Sequence, residues 1–118
     1  MGRLVLACIA SAALVACAEP PATEPVARGR QVFRALDCGR CHQVGNAGGR
    51  VGPDLTRVGT VAAGRIPGVA AEEYIRRSLV GPGEYVVPGY SDIMPRGLVR
   101  GLSQADLDAL VRYLGSLE

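Results

Sequence analysis

The chain has 118 residues, enough for one small hydrophobic core and too few for two, so its chemistry must be housed in a single domain. Thirteen basic residues, all arginine, face eleven acidic ones, and the net charge of +2 excludes the strongly basic footprint of a nucleic-acid binder. With no tryptophan and one phenylalanine, the core must be aromatic-poor.

The first segment reads as an export signal. Arg3 supplies a positive start, and Leu4 to Ala16 form an apolar run broken only by Ser11, shorter than the roughly 20 residues that a spanning helix needs. Leu14-Val15-Ala16-Cys17 resembles a bacterial lipoprotein signal, in which Cys17 is lipidated and becomes the first mature residue. Ala16-Cys17-Ala18 also fits ordinary secretory cleavage. We adopt the lipoprotein reading because it accounts for an otherwise unpaired cysteine. Residues 1–17 are then a signal peptide, and the mature protein is anchored by lipid to a membrane on its extracytoplasmic, periplasmic side. Cys8 leaves with the signal and Cys17 is taken by lipid, so Cys38 and Cys41 alone remain for chemistry. Residues 18–25 carry three prolines and no large apolar side chain, which makes them a linker that spans roughly 25 Å where extended.

The domain proper, residues 26–118, opens on a helix predicted from about Pro25 to Leu36 and capped by Thr23, with Val26, Gly29, Val32, Phe33 and Leu36 on its buried stripe. Gly29 marks a close crossing by another helix. A shorter helix is predicted over about Ala70 to Leu79, with Tyr74, Ile75 and Leu79 facing inward. From Gly81 to Gly101 the Gly-Pro-Gly, Pro-Gly and Met-Pro steps deny any long helix or central strand and predict a long ordered loop. The last helix starts at Ser103, with Asp106 three residues on, and carries Leu107, Leu110, Val111, Leu114 and Leu117 on one face.

Between the first two helices lies Cys38-Gly39-Arg40-Cys41-His42. Two thiols three positions apart on a helical turn face one side, where each can add across a vinyl group of haem, while the adjacent imidazole reaches the iron. A Cys-x-x-Cys pair can also exchange disulfides, and with His it can begin a zinc site. Zinc would want a fourth ligand, and the chain has no other His and no unclaimed Cys. A redox pair would be expected after a strand in a βαβ pattern, whereas the segment before Cys38 is helical. The expected cofactor is therefore one covalent haem c.

The second axial ligand follows by elimination. The chain has neither a second His nor any Lys, and once Met1 is removed Met94 is the sole thioether. A lone Met is more often core filler; this one sits in the Pro- and Gly-punctuated loop, just before Pro95. With His42 and Met94 as metal ligands, no position is left open on the iron, an arrangement suited to electron transfer. Pro53, in Gly52-Pro53-Asp54-Leu55, offers a carbonyl that can accept from the free ring nitrogen of His42, and Gly52 permits close approach to the ring. Arg57, Tyr85 and Tyr90 are candidates for the haem propionates, against the alternative of ordinary surface residues.

Taken together, these pieces resemble a class I cytochrome c over about Pro25 to Glu118. The match runs through Gly29 and Phe33, Cys-Gly-Arg-Cys-His, Gly52-Pro53-Asp54-Leu55, Met94-Pro95 and Leu110-Val111-Arg112-Tyr113-Leu114. The resemblance implies an all-α fold whose first and last helices cross at the small residue, with Phe33 and Tyr113 packed there and long loops wrapping one haem. Tyr85 to Pro95 is similar to the Met loop of cytochrome c domains fused to subunit II of some bacterial haem-copper oxidases. These 118 residues hold no counterpart of the copper-binding domain or membrane hairpin of such fusions. The expectation is a non-enzymatic, membrane-tethered one-electron carrier with redox protein partners, among them a haem-copper oxidase or a quinol-oxidising complex. A fixed subunit of a larger oxidase or dehydrogenase complex and a haem peroxidase-like enzyme are the competing readings.

Overall fold

In a computed structural model, which describes residues 23–118, the chain enters its first helix, α1 (Pro25–Ala35), through a proline at the first helical position. Proline fits there because its missing N–H would have no helical partner. The cap is Glu24 rather than Thr23. Its carboxylate accepts from the N–H groups of Val26 at 3.1 Å and Ala27 at 2.8 Å, satisfying two orphan donors at the positive end of the helix. Those two bonds hold the Glu24 carboxyl below its usual range. The signal segment, Cys17 and residues 18–22 of the linker lie outside the described residues.

Helix α1 ends one residue earlier than its periodicity suggests. Leu36 caps it, and Asp37 then takes a left-handed conformation (φ 54°), which aspartate tolerates better than most residues and which turns the chain out of the helix. A single 3₁₀ turn, Cys38–Arg40, follows at once. Beyond it a two-residue antiparallel ladder pairs β1 (Gln43–Val44) with β2 (Ala47–Gly48), Gln43 opposite Gly48 and Val44 opposite Ala47. This ladder and the short helix α2 (Val58–Val61), continued by a 3₁₀ turn at Ala62–Gly64, were not expected. Both are too short for hydrophobic periodicity to register. Helix α3 (Ala71–Val80) buries Tyr74, Ile75 and Leu79 as predicted. Residues 81–103 contain no helix or strand, and helix α4 (Gln104–Gly115) closes the chain.

The frame is the crossing of α1 and α4. At the crossing, a Cβ on Gly29 would stand 2.0 Å from the carbonyl oxygen of Ala109 and 2.6 Å from the Cβ of Tyr113, so the backbones meet where only glycine fits. Phe33 and Tyr113 pack edge to face there with centroids 5.6 Å apart, and the Arg30 guanidinium lies over the Tyr113 ring at 5.6 Å. Arg28 bonds Asp106 at 2.7 Å across the same interface. Ser103 caps α4 by accepting from the Asp106 N–H at 3.1 Å, while its own hydroxyl donates to the Asp106 carboxylate at 2.9 Å. Leu110 and Val111 are the most deeply buried large side chains; Leu117 lies beyond the helix end, where its carbonyl accepts from Gly59 N–H at 2.8 Å and ties α2 to the chain end. Arg76 joins α3 to α4 through Asp108 at 2.5 Å. The fold is thus mostly helical, the all-α architecture expected, with the unexpected ladder as its one departure among the described residues.

Candidate functional site

The 3₁₀ turn at Cys38–Arg40 begins directly where α1 stops, so both thiols are carried by one tight turn at the edge of the core. The N–H groups of Cys41 and His42 both donate to the Cys38 carbonyl, at 3.2 and 3.0 Å. Cys38 and Cys41 are half-buried free thiols. Burial pushes the Cys38 thiol up to about 11, so it is protonated at neutral pH. A disulfide-exchanging thiol has the opposite property, a lowered pKa in an electropositive setting. Among the described residues no group of three or more His, Cys, Asp or Glu side chains is placed to hold a metal ion, which removes the zinc alternative there.

The segment after His42 doubles back on the turn. Gly49 N–H donates to the Gly39 carbonyl and Gly52 N–H to that of Cys41, each at 2.9 Å, while Leu55 N–H donates to that of Gln43 at 2.8 Å. These bonds bring Pro53 to the imidazole, and His42 Nδ1 lies 2.7 Å from the Pro53 carbonyl oxygen. A carbonyl can only accept, so Nδ1 is the donor of this bond, and in the neutral imidazole the lone pair is then on Nε2. Gly52 lies flat against the ring: a Cβ there would be 2.5 Å from Cε1 and 2.8 Å from Nδ1. The ring is held by a hydrogen bond and a bare backbone face, with its metal-binding nitrogen left over.

Met94 is half-buried and packs against the same core cluster as Cys38, Leu36, Val44, Leu55 and Tyr85. Tyr85 turns its ring inward, edge-on to Tyr74 with centroids 5.7 Å apart. Tyr90 is 40% exposed and faces the loop after His42 across a cleft of about 340 Å³, whose wall includes Arg50, Gly52 and Asp54. Arg57 starts α2 through its backbone and keeps an exposed side chain. A larger cleft of about 450 Å³ opens between α1 and the start of α4, along Arg28, Val32 and Asp106, and contains none of the residues of the Cys-His turn. Arg96, which bonds the carbonyl oxygen of Met94, escaped the sequence reading. Its one local signal is the opposite charge of Asp92 four positions earlier.

The sequence profile of the cytochrome c family matches residues 26–118. The chain belongs to the cytochrome c family. It is a haem-carrying electron-transfer protein. It is also 34% identical, over 104 residues, to a cytochrome c oxidase subunit 2 of Alkalihalophilus pseudofirmus, an alignment that takes in 85% of this chain and 28% of that protein. The chain thus spans under a third of the length of this relative. The residues present suit the group that the family carries: two unpaired thiols on one turn, an imidazole whose Nδ1 is taken by a carbonyl, and a half-buried thioether packed against the core. When bound, haem c supplies a one-electron ferric–ferrous couple.

Proposed function

We propose that this cytochrome c is a mono-haem, one-electron carrier without catalytic activity of its own. Cys38 and Cys41 would hold the haem as thioethers, each thiol adding its sulfur and hydrogen across one vinyl group, and His42 and Met94 would ligate its iron. The carrying observation is the imidazole of His42, whose Nδ1–H is spent on Pro53 and whose ring rests on Gly52. A hydrogen bond of this kind fixes the ring and strengthens its nitrogen as a donor. A thioether opposite it favours the ferrous state relative to a second imidazole. With both residues on the iron, the group would supply electron transfer rather than peroxide or oxygen activation.

The test is Met94→His. The haem should stay low-spin while its potential falls by more than about 59 mV, the shift equivalent to tenfold in a one-electron equilibrium constant. An unchanged potential and ferric spectrum would show that Met94 is not on the iron.

The tether in this reading is Cys17 with its lipid; among the described residues no helix is long and apolar enough to cross a membrane. Several acyl chains, each methylene contributing about 0.8 kcal/mol, make such an anchor stable, where one chain alone binds only marginally. Cys17→Ser should convert a detergent-requiring protein into a soluble one with an unaltered spectrum; a parent already soluble after a salt wash would replace the lipoprotein reading with ordinary secretion. Likeness to an oxidase subunit favours a haem-copper oxidase as the electron acceptor. Val51 and Ile93, next to Gly52 and Met94, are 52% and 61% exposed and offer apolar contact to such a partner. Co-purification after mild detergent extraction separates a fixed subunit from a shuttle.

A further inference from the structure

The segment that carries Met94 has no regular structure from Gly81 to Leu102, yet it keeps Met94 against the core. Its contacts converge on Arg96. Nη1 donates to the Met94 carbonyl oxygen at 3.2 Å, and Nη2 donates to Asp92 Oδ2 at 2.7 Å. The same guanidinium rests on Gly83, in the turn after α3. A Cβ at that glycine would stand 2.2 Å from Nη2, 3.1 Å from Cζ and 3.4 Å from Asp92 Oδ2. The pair Arg77–Glu73, on α3, has the same spacing along the chain, a 2.6 Å contact and similar exposure. An exposed pair of that kind contributes little by itself. Arg96 differs in bonding the backbone of Met94 while pressing on a second turn.

We propose that Arg96 is a positioning residue for the sulfur ligand: with Asp92 it latches the Met94 segment onto the turn at Gly83, and so sets how readily an outside ligand displaces Met94. The inference rests on the reading of Met94 as an axial ligand. An irregular segment opens locally at low free-energy cost, and an external ligand enters through that open state. Weakening the closed state therefore raises the apparent affinity of the competitor in proportion to the open population.

The experiment titrates imidazole into the ferric holoprotein and follows loss of the long-wavelength sulfur-to-iron charge-transfer band. Arg96→Gln and Asp92→Asn should each bind imidazole about tenfold more tightly than the parent, equivalent to about 1.4 kcal/mol, with parental helical ellipticity. Arg96→Lys should fall between, because lysine keeps the charge opposite Asp92 and loses the planar fork that reaches both oxygens. Arg77→Gln should stay within about twofold of the parent. Affinities within about twofold for both Arg96→Gln and Asp92→Asn would overturn the latch, as would an equal gain in Arg77→Gln, which would reveal a general loss of stability. Should Arg96→Gln fail to accumulate, Asp92→Asn and Arg96→Lys read the same quantity. Absence of the band in the parent would overturn the Met94 assignment and the latch with it; its presence with unmoved affinities would overturn the latch alone.

Discussion

The imidazole of His42 is confined by two neighbours that contribute no side chain. Pro53 gives a carbonyl, and Gly52 gives the lack of a Cβ. A methyl at position 52 would lie well inside van der Waals contact of a ring whose Nδ1 is tied to Pro53. The ring would have to tilt and lengthen that hydrogen bond. Gly52→Ala should therefore cost roughly 1–3 kcal/mol, the usual range for inserting a methyl into a filled site, and should lower the haem-to-protein ratio of the purified protein. A denaturant midpoint and haem content equal to the parent's would show that the ring is not confined in this way. Cys38 carries a complementary lesson. Its burial suppresses the thiolate, so Cys38 stays a protonated thiol at neutral pH.

At the scale of elements, the crossing of α1 and α4 fixes everything that follows, because the Cys-His turn begins where α1 ends. At Gly29 the obstacle is backbone, the Ala109 carbonyl, which cannot swing aside as a side chain can. Alanine there would gain about 1 kcal/mol in helix propensity and lose more to the clash. Gly29→Ala should thus be destabilised by about 2 kcal/mol, lowering the melting temperature by about 10 °C for a domain of this size. A melting temperature at or above the parent's would contradict the close crossing. The Arg28–Asp106 contact gives the same interface a pH dependence. Arg28, and then the Ser103 hydroxyl, hold the Asp106 carboxyl below the usual carboxylate range. A depressed folded-state pKa contributes stability above about pH 4, the unfolded value, and that contribution fades as pH falls through the folded value. Asp106→Asn should therefore be less stable than the parent at neutral pH, and the two should converge in acid; a gap that is constant from neutral to acidic pH would rule out the ion pair as its source.

For the whole molecule, the question is what the long irregular segments enclose. Leu36, Val44, Leu55, Ile66, Tyr85 and Met94 are apolar, only half-buried, and set around one core, largely on loops. Side chains in that state still have apolar surface to bury. Covalent haem would cover such surface and staple the Cys-His turn to the loops, in a chain whose own core is poor in aromatics. Cys38→Ser with Cys41→Ser should then yield a protein without denaturation-resistant haem stain, with well under half of the parent's helical ellipticity and no cooperative unfolding transition. A cooperative, fully helical variant would show that the helices fold without the group.

The sequence alone determined helices α1, α3 and α4 and set Cys38, Cys41 and His42 side by side. α1, α3 and α4 are long enough for a period of 3.6 residues to show, and Cys38, Cys41 and His42 are neighbours along the chain, so their joint chemistry is local. Gly29 too was legible as a crossing, because a glycine on a buried stripe has few other uses. What only the tertiary structure decided is long-range or backbone-borne. Glu24 replaced Thr23 as the cap because a carboxylate reached two N–H groups, a choice made by chain direction rather than by residue preference. The ladder at 43–48 and the helix at 58–61 are held by bonds to distant backbone, including Leu55 to Gln43 and Gly59 to Leu117, and such short pieces carry no periodic signature of their own. The grip of Arg96 on Met94 depends on a turn brought up from position 83, and Tyr85 turned inward because Tyr74 was there to receive its ring. Periodicity and motif spacing report what neighbours in sequence can do together; contacts between segments with no shared period exist only once the chain has closed on itself.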